Sequence, residues 1–266
     1  AQSDLSFMEG KKNILLIGID RSDDRIGWTN YHADMLMLMS VDFANNKVSM
    51  ISVPRGSYTK LPDNTYRSIN YAYFIGSDDA GSAKSTVQAV QNMLGVPIDH
   101  YACVDIDATK RIINIMQGVN YNVDITGTIN EREITAGQAK LDGQQVLDYS
   151  RYLGEGSDLD RIARGQNMLR AFFDQLRINN QIKLIPELYG YVAQEMTTDL
   201  SLGQIAALAL YATGFESSQV EFHTVPGDIV GVGGDSYFCV DNDGLVTLMQ
   251  TVFGTTVTLD PDMDID

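Results

Sequence analysis

The sequence predicts an α/β fold, because short apolar runs of strand length alternate with longer segments of helical periodicity along its 266 residues. An apolar run at 13–19 is typical of a buried strand. Two further runs at 35–41 and 47–53 flank a turn-like segment and predict a hairpin. Hydrophobic residues make up 44% of the chain, which fits a folded core. No internal repeat or low-complexity linker appears, so we expect one domain.

The remaining elements follow the same alternation. Their predicted ranges are a helix at 80–94 ending at Gly95, a strand at 101–106, a helix at 109–117, a strand at 119–125, helices at 142–150, from Asp158 or Asp160 to about 179, at 186–196 and at 202–211, strands at 220–225 and 237–240, and a helix at 242–253. We expect residues 1–11 to be disordered or close to a membrane anchor, 12–256 to form the domain, and 257–266 to be a mobile acidic tail.

Net charge excludes one class of function. The chain carries 19 basic and 35 acidic residues, whereas nucleic-acid binders show a basic footprint. Any anionic ligand must therefore be held locally, by arginines or through a metal. The two cysteines, Cys103 and Cys239, have neither the partners of a metal site nor the number that defines a disulfide framework.

Arginines are concentrated in one part of this acidic chain. Between positions 151 and 177 lie Arg151, Arg161, Arg164, Arg170 and Arg177. The guanidinium group binds phosphate through paired, charge-assisted hydrogen bonds, and Arg161 and Arg164 share a helix face. The alternative is an ordinary solvated helix with Asp–Arg pairs.

Two carboxylates lie at predicted strand ends. Asp20 follows the first strand and Asp34 precedes the second, so antiparallel pairing could bring them to one edge of the sheet. Two carboxylates facing a phosphate ligand are a common seat for Mg²⁺. The alternative is that both cap strand ends. Arg55 follows the third strand, and Arg67 lies in the next loop.

Single residues near these carboxylates are less informative. His32 has no second histidine near it in the sequence, and a histidine that stands alone is more often a structural residue than a catalytic one. A nearby group of aromatic and methionine side chains is typical of a hydrophobic core, although such side chains could also line an apolar tunnel for a hydrocarbon tail. These residues are Met35, Met37, Met39, Tyr71, Tyr73 and Phe74.

Seven segments in order resemble the LytR-CpsA-Psr family of Gram-positive cell-envelope proteins. They are IGID (17–20), ADMLMLMSVD (33–42), SVPR (52–55), SINYAYFIG (68–76), MLGVPIDHY (93–101), LDGQQVLDYSR (141–151) and DRIARGQNML (160–169). The resemblance extends from about residue 12 to residue 253, and its strength lies in the order of the seven segments.

The resemblance implies a three-layer α/β/α sandwich with a central mixed, largely antiparallel sheet, on an extracellular ectodomain held to the membrane by an N-terminal anchor outside this sequence. It implies a Mg²⁺-dependent transferase, with Mn²⁺ as an alternative ion. This enzyme would move teichoic acid or capsular polysaccharide from an undecaprenyl-pyrophosphate carrier to peptidoglycan. A hydrophobic pocket between sheet and helices would take the prenyl chain.

The resemblance also implies roles for individual residues. Asp20 and Asp34 would hold the metal, with Asp34 or another carboxylate beside it as base. Catalytic roles would fall to Asp34, Arg55 and Arg151, and the pyrophosphate would meet Arg55, Arg67, Arg151, Arg161, Arg164 and Gln166.

The chain departs from the family pattern at several of these positions. It has His32 where the family has Arg, Gly56 where it has Asp, Ser68 where it has Lys, Leu153 for a second Arg, and Gly165 for Gln. Each loss of a hydrogen bond to a charged group costs about 1.5–3 kcal/mol of binding. Two alternatives therefore stay open: a non-catalytic lipid- or glycan-binding paralogue, and a pyrophosphatase-like hydrolase acting on the same lipid.

Overall fold

The α/β class predicted from the sequence is confirmed by the computed structural model, which describes residues 4–22, 31–129, 132–152, 156–178, 190, 196–212 and 214–263. Its strands are β1 (Lys11–Ile19), β2 (Ala33–Asp42), β3 (Lys47–Val53), β4 (Tyr58–Lys60), β5 (Tyr66–Ser68), β6 (His100–Asp105), β7 (Val119–Val123), β8 (Gly127–Ile129), β9 (Arg132–Ile134), β10 (Gly137–Leu141), β11 (Thr197–Thr198), β12 (Val220–Thr224), β13 (Gly227–Val232) and β14 (Asp235–Val240). Its α-helices are α1 (Asp79–Leu94), α2 (Ile106–Ile115), α3 (Gly143–Arg151), α4 (Asp158–Ile178), α5 (Leu202–Ala212) and α6 (Asn242–Phe253).

The chain divides into two compact units, and each is described by itself. The sheet unit comprises residues 10–104, 197–200 and 221–266. The second unit comprises residues 1–9, 105–196 and 201–220. The domain boundaries predicted at residues 12 and 256 stay predictions.

A six-stranded sheet organises the sheet unit, in the order β11-β6-β1-β2-β3-β12. β1 pairs antiparallel with β2, and β2 pairs antiparallel with β3 through the hairpin predicted from the two apolar runs. The middle of these strands is almost wholly buried, which explains why they appear in the sequence as apolar runs and not as alternating patterns. Leu15, Ile17, Leu38 and Ile51 are fully buried in the core.

Helices α1 and α6 contribute their apolar faces to the same core, which includes Val90, Met93, Leu245 and Met249. Asp78 caps α1 by accepting a hydrogen bond from the Gly81 amide, and Asp241 caps α6 in the same way from Gly244. Both helices end at a glycine in the left-handed region, Gly95 and Gly254, and the stop at Gly95 is the one that the sequence predicts.

The second unit has its own apolar core. Residues from α2, α3, α4 and the strands β7 to β10 form this core, in which Tyr149 is fully buried. The Tyr149 hydroxyl group lies 2.8 Å from Asp124 Oδ1 and 3.3 Å from the Tyr121 hydroxyl oxygen. Burial of the ring and these hydrogen bonds raise the pKa of Tyr149 well above its usual range, so the phenol stays neutral.

Residues near both ends of the described chain are packed. Phe7 is buried within a 3-10 turn at Leu5–Met8, whose preceding Asp4 amide donates to the Gly203 carbonyl. The 3-10 turn Pro261–Met263 inserts Met263 fully into the core of the sheet unit, where Thr59 Oγ1 donates to its sulfur. The acidic C-terminal segment therefore contributes an apolar side chain, Met263, to the core of the sheet unit.

Several smaller expectations meet the structure as follows. Cys103 and Cys239 are buried and form no disulfide with each other. The helix predicted at 186–196 lies largely outside the described residues. In the described part of the chain, no helix is long and apolar enough to cross a membrane.

Candidate functional site

Asp20 lies where β1 leaves the sheet, and it is fixed to the neighbouring strand. Its backbone amide donates to the His32 carbonyl at 3.1 Å, and its carboxylate Oδ1 accepts the His32 amide at 2.8 Å. The side chain is nearly buried, with 9% of its surface exposed. These bonds extend the ladder past the last regular pair, Ile19 with Ala33. Asp20 therefore caps the end of the strand, which is one of the two roles that the sequence left open. The other role, as a metal ligand, requires the same position at the edge of the sheet.

Asp34 is the extra residue of a β-bulge. Gly18 pairs with Met35, but the next residue, Ile19, pairs with Ala33, so the register shifts by one residue at Asp34. Bulges redirect a side chain and recur beside active sites. A Cβ at Gly18 would stand 3.1 Å from Met35 Cβ, which shows how closely the two backbones approach at this point.

Arg55 meets Asp34 from the third strand. The register pairs Leu36 with Val53, and continuing it by two residues places Asp34 opposite Arg55. Arg55 Nη1 donates to Asp34 Oδ1 at 2.8 Å, and both side chains remain partly exposed, at 35% and 23%. The structure thus brings three predicted residues, Asp20, Asp34 and Arg55, to the same end of three adjacent strands.

The turn after β3 holds Arg55 firmly. Ser57 closes it with a backbone hydrogen bond and a side-chain hydrogen bond to the Pro54 carbonyl. Gly56 lies inside this turn, and its carbonyl accepts the Phe238 amide at 2.9 Å. The Arg55 carbonyl accepts the Asn70 amide at 3.1 Å, so the turn is tied to the 3-10 turn that follows β5, the strand that carries Arg67.

The sequence interpretation missed an exposed group of rings next to these residues. The His32 ring lies 4.8 Å from Tyr71 in an edge-to-face arrangement and 6.3 Å from Phe74 in a parallel one. The Arg67 guanidinium lies 4.7 Å from the centroid of the Tyr71 ring. For these aromatic residues the sequence left core and ligand tunnel open; Tyr71 and Phe74 are 37% and 44% exposed, whereas Tyr73 between them is buried. Their three-residue spacing was the available signal, since it places two side chains on one side of a turn.

The donor set of the sheet unit fits a magnesium ion bound through few protein ligands. Among the residues that the structure describes, no group of three or more His, Cys, Asp or Glu side chains could hold a metal. Mg²⁺ commonly binds one or two carboxylates and takes its other oxygens from phosphate and water. Asp20 and Asp34 supply hard oxygen ligands of that kind. The magnesium site itself stays a prediction.

In the second unit, Arg151 is the last residue of α3 and is exposed. A capping box starts this helix, with Asp142 accepting the Gln145 amide and the Gln145 side chain accepting the Asp142 amide. The predicted helix at 142–150 is thus confirmed to within one residue. A cation in the last turn also interacts favourably with the helix dipole, so Arg151 has a local structural reason to be there.

Helix α4 begins differently from the expectation. Ser157 accepts the Asp160 amide, and Asp160 Oδ2 accepts both the amide and the hydroxyl group of Ser157. The N-cap is therefore Ser157, and neither Asp158 nor Asp160 fills that place. Hydrogen bonds from the Ser157 amide and hydroxyl group lower the pKa of Asp160. Sequence inspection favoured the aspartates because both are good caps, but only one position satisfies the free amides of the first turn.

The arginines of α4 have identifiable partners. Arg161 pairs with Asp158 at 3.2 Å, which is the helical ion pair that the sequence left open as the alternative. Arg164 donates through Nη2 to the Tyr152 carbonyl and lies 5.9 Å from the Tyr152 ring centroid. Its Nε is buried with no hydrogen-bond partner in the described part of the chain. Gln166 is partly buried, and Leu153 lies outside the described residues. Gly165 borders open space, because an added Cβ would meet nothing within 4 Å.

The predicted site residues fall into two sets. Asp20, Asp34, Arg55 and Arg67 belong to the sheet unit, and the others belong to the second unit, namely Arg151, Arg161, Arg164 and Gln166. A single pyrophosphate site that uses both sets stays a prediction.

Comparison with known families decides the affiliation of the chain. The model of the LytR_cpsA_psr family matches residues 2–251. The chain belongs to this family.

Relatives and solved structures agree with membership of the LytR_cpsA_psr family. The chain is 27% identical over 243 residues to an Enterococcus faecalis protein named polyisoprenyl-teichoic acid–peptidoglycan teichoic acid transferase TagU, a match that covers 90% of this chain and 77% of the relative. It is 27% identical over 254 residues to Bacillus subtilis TagV, of which it spans 63%.

Two solved structures show the same fold. The crystal structure of B. subtilis TagV superposes with a TM-score of 0.77 at 26% identity, covering 91% of this chain and 95% of TagV. A structure described as TagT bound to LIIa-WTA superposes with a TM-score of 0.76 at 24% identity, covering 94% and 93% of the two chains.

Proposed function

We propose that this protein is a Mg²⁺-dependent transferase that moves a glycopolymer from an undecaprenyl-pyrophosphate carrier to peptidoglycan at the outer face of the cell membrane. The observation that carries the proposal is the convergence of Asp20, Asp34 and Arg55 at one end of the central sheet, with Asp34 on a bulge. The printed names of the relatives, which are teichoic acid transferases acting on peptidoglycan, support the reaction class.

The reaction is a phosphoryl transfer in this proposal. An oxygen of an acceptor hydroxyl group on peptidoglycan forms a bond to the phosphorus that carries the glycan, and the bond from that phosphorus to the bridging oxygen breaks. Undecaprenyl phosphate leaves, and the hydroxyl proton passes to a carboxylate, for which Asp34 is the candidate. Catalysis of this kind depends on positioning and on neutralising charge.

The residues of the sheet unit would contribute to positioning and to charge neutralisation in different ways. Asp20 and Asp34 would hold Mg²⁺, which neutralises the negative charge that develops on the phosphate oxygens. Arg55 contributes a guanidinium fork at the same strand end, and its pair with Asp34 keeps it oriented toward that end before a ligand binds. The exposed side chain of Arg67 adds a second cation on the same unit.

The second unit supplies further cations in the proposal. Arg151 lies at the end of α3, and Arg161 and Arg164 lie in the first two turns of α4. An anion near the start of α4 would also be favoured by the helix dipole. Binding of a pyrophosphate there would compete with the Arg161–Asp158 pair.

The test is a transfer reaction with the purified protein, a lipid-linked glycan and peptidoglycan, with and without Mg²⁺. We expect glycan on the peptidoglycan and release of polyprenyl phosphate, both abolished by EDTA and both restored by Mg²⁺ or, less well, by Mn²⁺. Arg55→Ala and Arg151→Ala should each lower the rate, because each removes a charged donor. Full transfer in the presence of EDTA would refute the metal role.

The same reaction separates the alternatives. Glycan phosphate released into solution, with none attached to peptidoglycan, would identify a hydrolase. Tight binding of the lipid with no turnover would identify a non-catalytic binding module. The open space at Gly165, where the family pattern has Gln, is the specific observation that favours the module. If the module is correct, Gly165→Gln should raise the rate from zero to a measurable value.

A further inference from the structure

A group of exposed rings borders the proposed diphosphate site. We call His32, Tyr71 and Phe74, with the Arg67 guanidinium over Tyr71, the aromatic platform. Phe74 is 44% exposed and Tyr71 is 37% exposed, although neither reaction chemistry nor the core requires either ring at the surface. Exposed apolar groups rimmed by polar residues often mark a binding site.

The backbone holds the aromatic platform in a defined shape. The 3-10 turn Ile69–Ala72 is followed by a hydrogen bond from the Phe74 amide to the Tyr71 carbonyl at 3.0 Å. Residues three apart on such a turn project to the same side, which brings Tyr71 and Phe74 to the surface while Ala72 and Tyr73 enter the core. The backbone of His32 is held by two hydrogen bonds to Asp20, since its carbonyl accepts from the Asp20 amide and its amide donates to the Asp20 carboxylate.

The aromatic platform is also bonded directly to the proposed diphosphate residues. The Asn70 amide, immediately before Tyr71, donates to the Arg55 carbonyl at 3.1 Å. The His32 amide donates to the Asp20 carboxylate at 2.8 Å. A ligand whose phosphates lie at Asp20, Asp34 and Arg55 would therefore place its next chemical group at or near these rings.

We propose that the aromatic platform binds the first sugar of the lipid-linked glycan, an inference that rests on the proposed function. A pyranose ring has an apolar face of C–H groups, which packs on an aromatic ring, and an edge of hydroxyl groups, which need polar partners. The platform offers both kinds of contact, since its rings are flanked by the imidazole of His32 and the guanidinium of Arg67. A prenyl chain would pair only with the rings and would desolvate Arg67 without compensation.

The test compares two soluble probes that differ only in the sugar. Geranyl diphosphate carries the phosphates and a short lipid, and geranyl-diphospho-N-acetylglucosamine adds one sugar. Calorimetric titration of the whole chain with each probe, in the presence of Mg²⁺, gives the factor by which the sugar tightens binding. We expect a factor of about ten for the unaltered protein, the size expected from one or two aromatic contacts.

Substitutions then locate the effect. Tyr71→Ala combined with Phe74→Ala should reduce the sugar factor to about two or less while the Kd of geranyl diphosphate stays the same. Tyr71→Phe should keep the factor, because the ring remains. Leu5→Ala, which removes a 61% exposed apolar side chain in the second unit, is the matched control and should change neither Kd. Both platform side chains are exposed, so thermal unfolding should confirm that the variants fold.

Each other outcome overturns a stated part of the reasoning. If the unaltered protein binds both probes equally, or if the double variant keeps the sugar factor, the sugar subsite is refuted and the transferase proposal survives. If the double variant weakens both probes equally, the aromatic platform contacts the lipid or the phosphates instead of the sugar, and the inference is again refuted. If the unaltered protein binds neither probe, the proposed function fails, and the inference fails with it.

Discussion

Replacing Asp34 with Asn should separate the structural role of this carboxylate from its proposed metal role. The substitution removes the charge that faces Arg55 at 2.8 Å but preserves shape and one oxygen. An exposed ion pair contributes at most about 1 kcal/mol, whereas removing one partner of a buried pair costs about 3–5 kcal/mol. The two side chains are 23% and 35% exposed, and solvent therefore screens them in part. We expect a cost of about 1–2 kcal/mol in the free energy of unfolding, and a fall of a few degrees in Tm.

The effect on transfer should be much larger than the effect on stability. Loss of one of the two proposed metal carboxylates would remove several kcal/mol of charge stabilisation in the transition state, so the rate should fall by about 100-fold or more at a fixed Mg²⁺ concentration. The assay is the initial rate of glycan attachment to peptidoglycan, measured over a series of Mg²⁺ concentrations. Raising Mg²⁺ should recover part of the rate if affinity for the ion is what was lost.

Asp42→Asn is the matched control for this experiment. Asp42 ends the same strand at its opposite end and pairs with Lys11 at 3.9 Å. This variant makes the same chemical change and also loses an ion pair, but it should retain its transfer rate. If the two variants lose rate and stability in the same proportion, the reasoning is refuted, because Asp34 would then be a structural residue.

Three further predictions concern the tail, its pH dependence and helix α4. Met263→Ala should cost about 2–5 kcal/mol of unfolding free energy, since it empties a fully buried position, and chemical denaturation followed by circular dichroism would measure it. The hydrogen bond from Tyr66 holds the pKa of Asp260 below its usual range. Its contribution is therefore complete above about pH 4 and is lost as the pH falls through the lowered pKa. The protection factors for hydrogen exchange of the Asp260, Asp262 and Met263 amides should fall over that window, and a profile identical to that of Tyr66→Phe would contradict the prediction. Gly165→Ala should stabilise α4 by about 0.5–1 kcal/mol, because a helix interior disfavours glycine and the added Cβ meets no atom; an unchanged or lower Tm would count against it.

Elements with local signals were the most predictable from the sequence. The strand Lys47–Val53 and the helix Asn242–Phe253 were predicted with the bounds that the structure has. A turn-like segment precedes the strand in the sequence, and in the structure Asp241 caps the helix and Gly254 ends it. Helix α4 was less predictable at its start, because three residues within four positions, Ser157, Asp158 and Asp160, are all good caps and only the three-dimensional turn selects one.

Burial was the property that the sequence predicted least well. For Tyr71 and Phe74 the sequence left core and ligand tunnel open, and the composition around Met263 predicts a mobile acidic tail. The structure exposes Tyr71 and Phe74 and buries Met263. Residue type sets the free energy of transfer from water, but the neighbours that cover a side chain come from distant parts of the chain, as Thr59 does for Met263.

The sequence by itself determined the α/β class, the family and the identity of the charged residues, because periodicity, caps and ordered motifs are local features of the chain. Only the tertiary structure decided which of these residues share a place. The pairing of Asp34 with Arg55 depends on strand register and on a bulge that no local pattern reports. The aromatic platform depends on a turn between residues 69 and 74 meeting a strand end at His32. Hydrogen-bond register and packing across long sequence separations fix such contacts, and they exist only once the chain has folded.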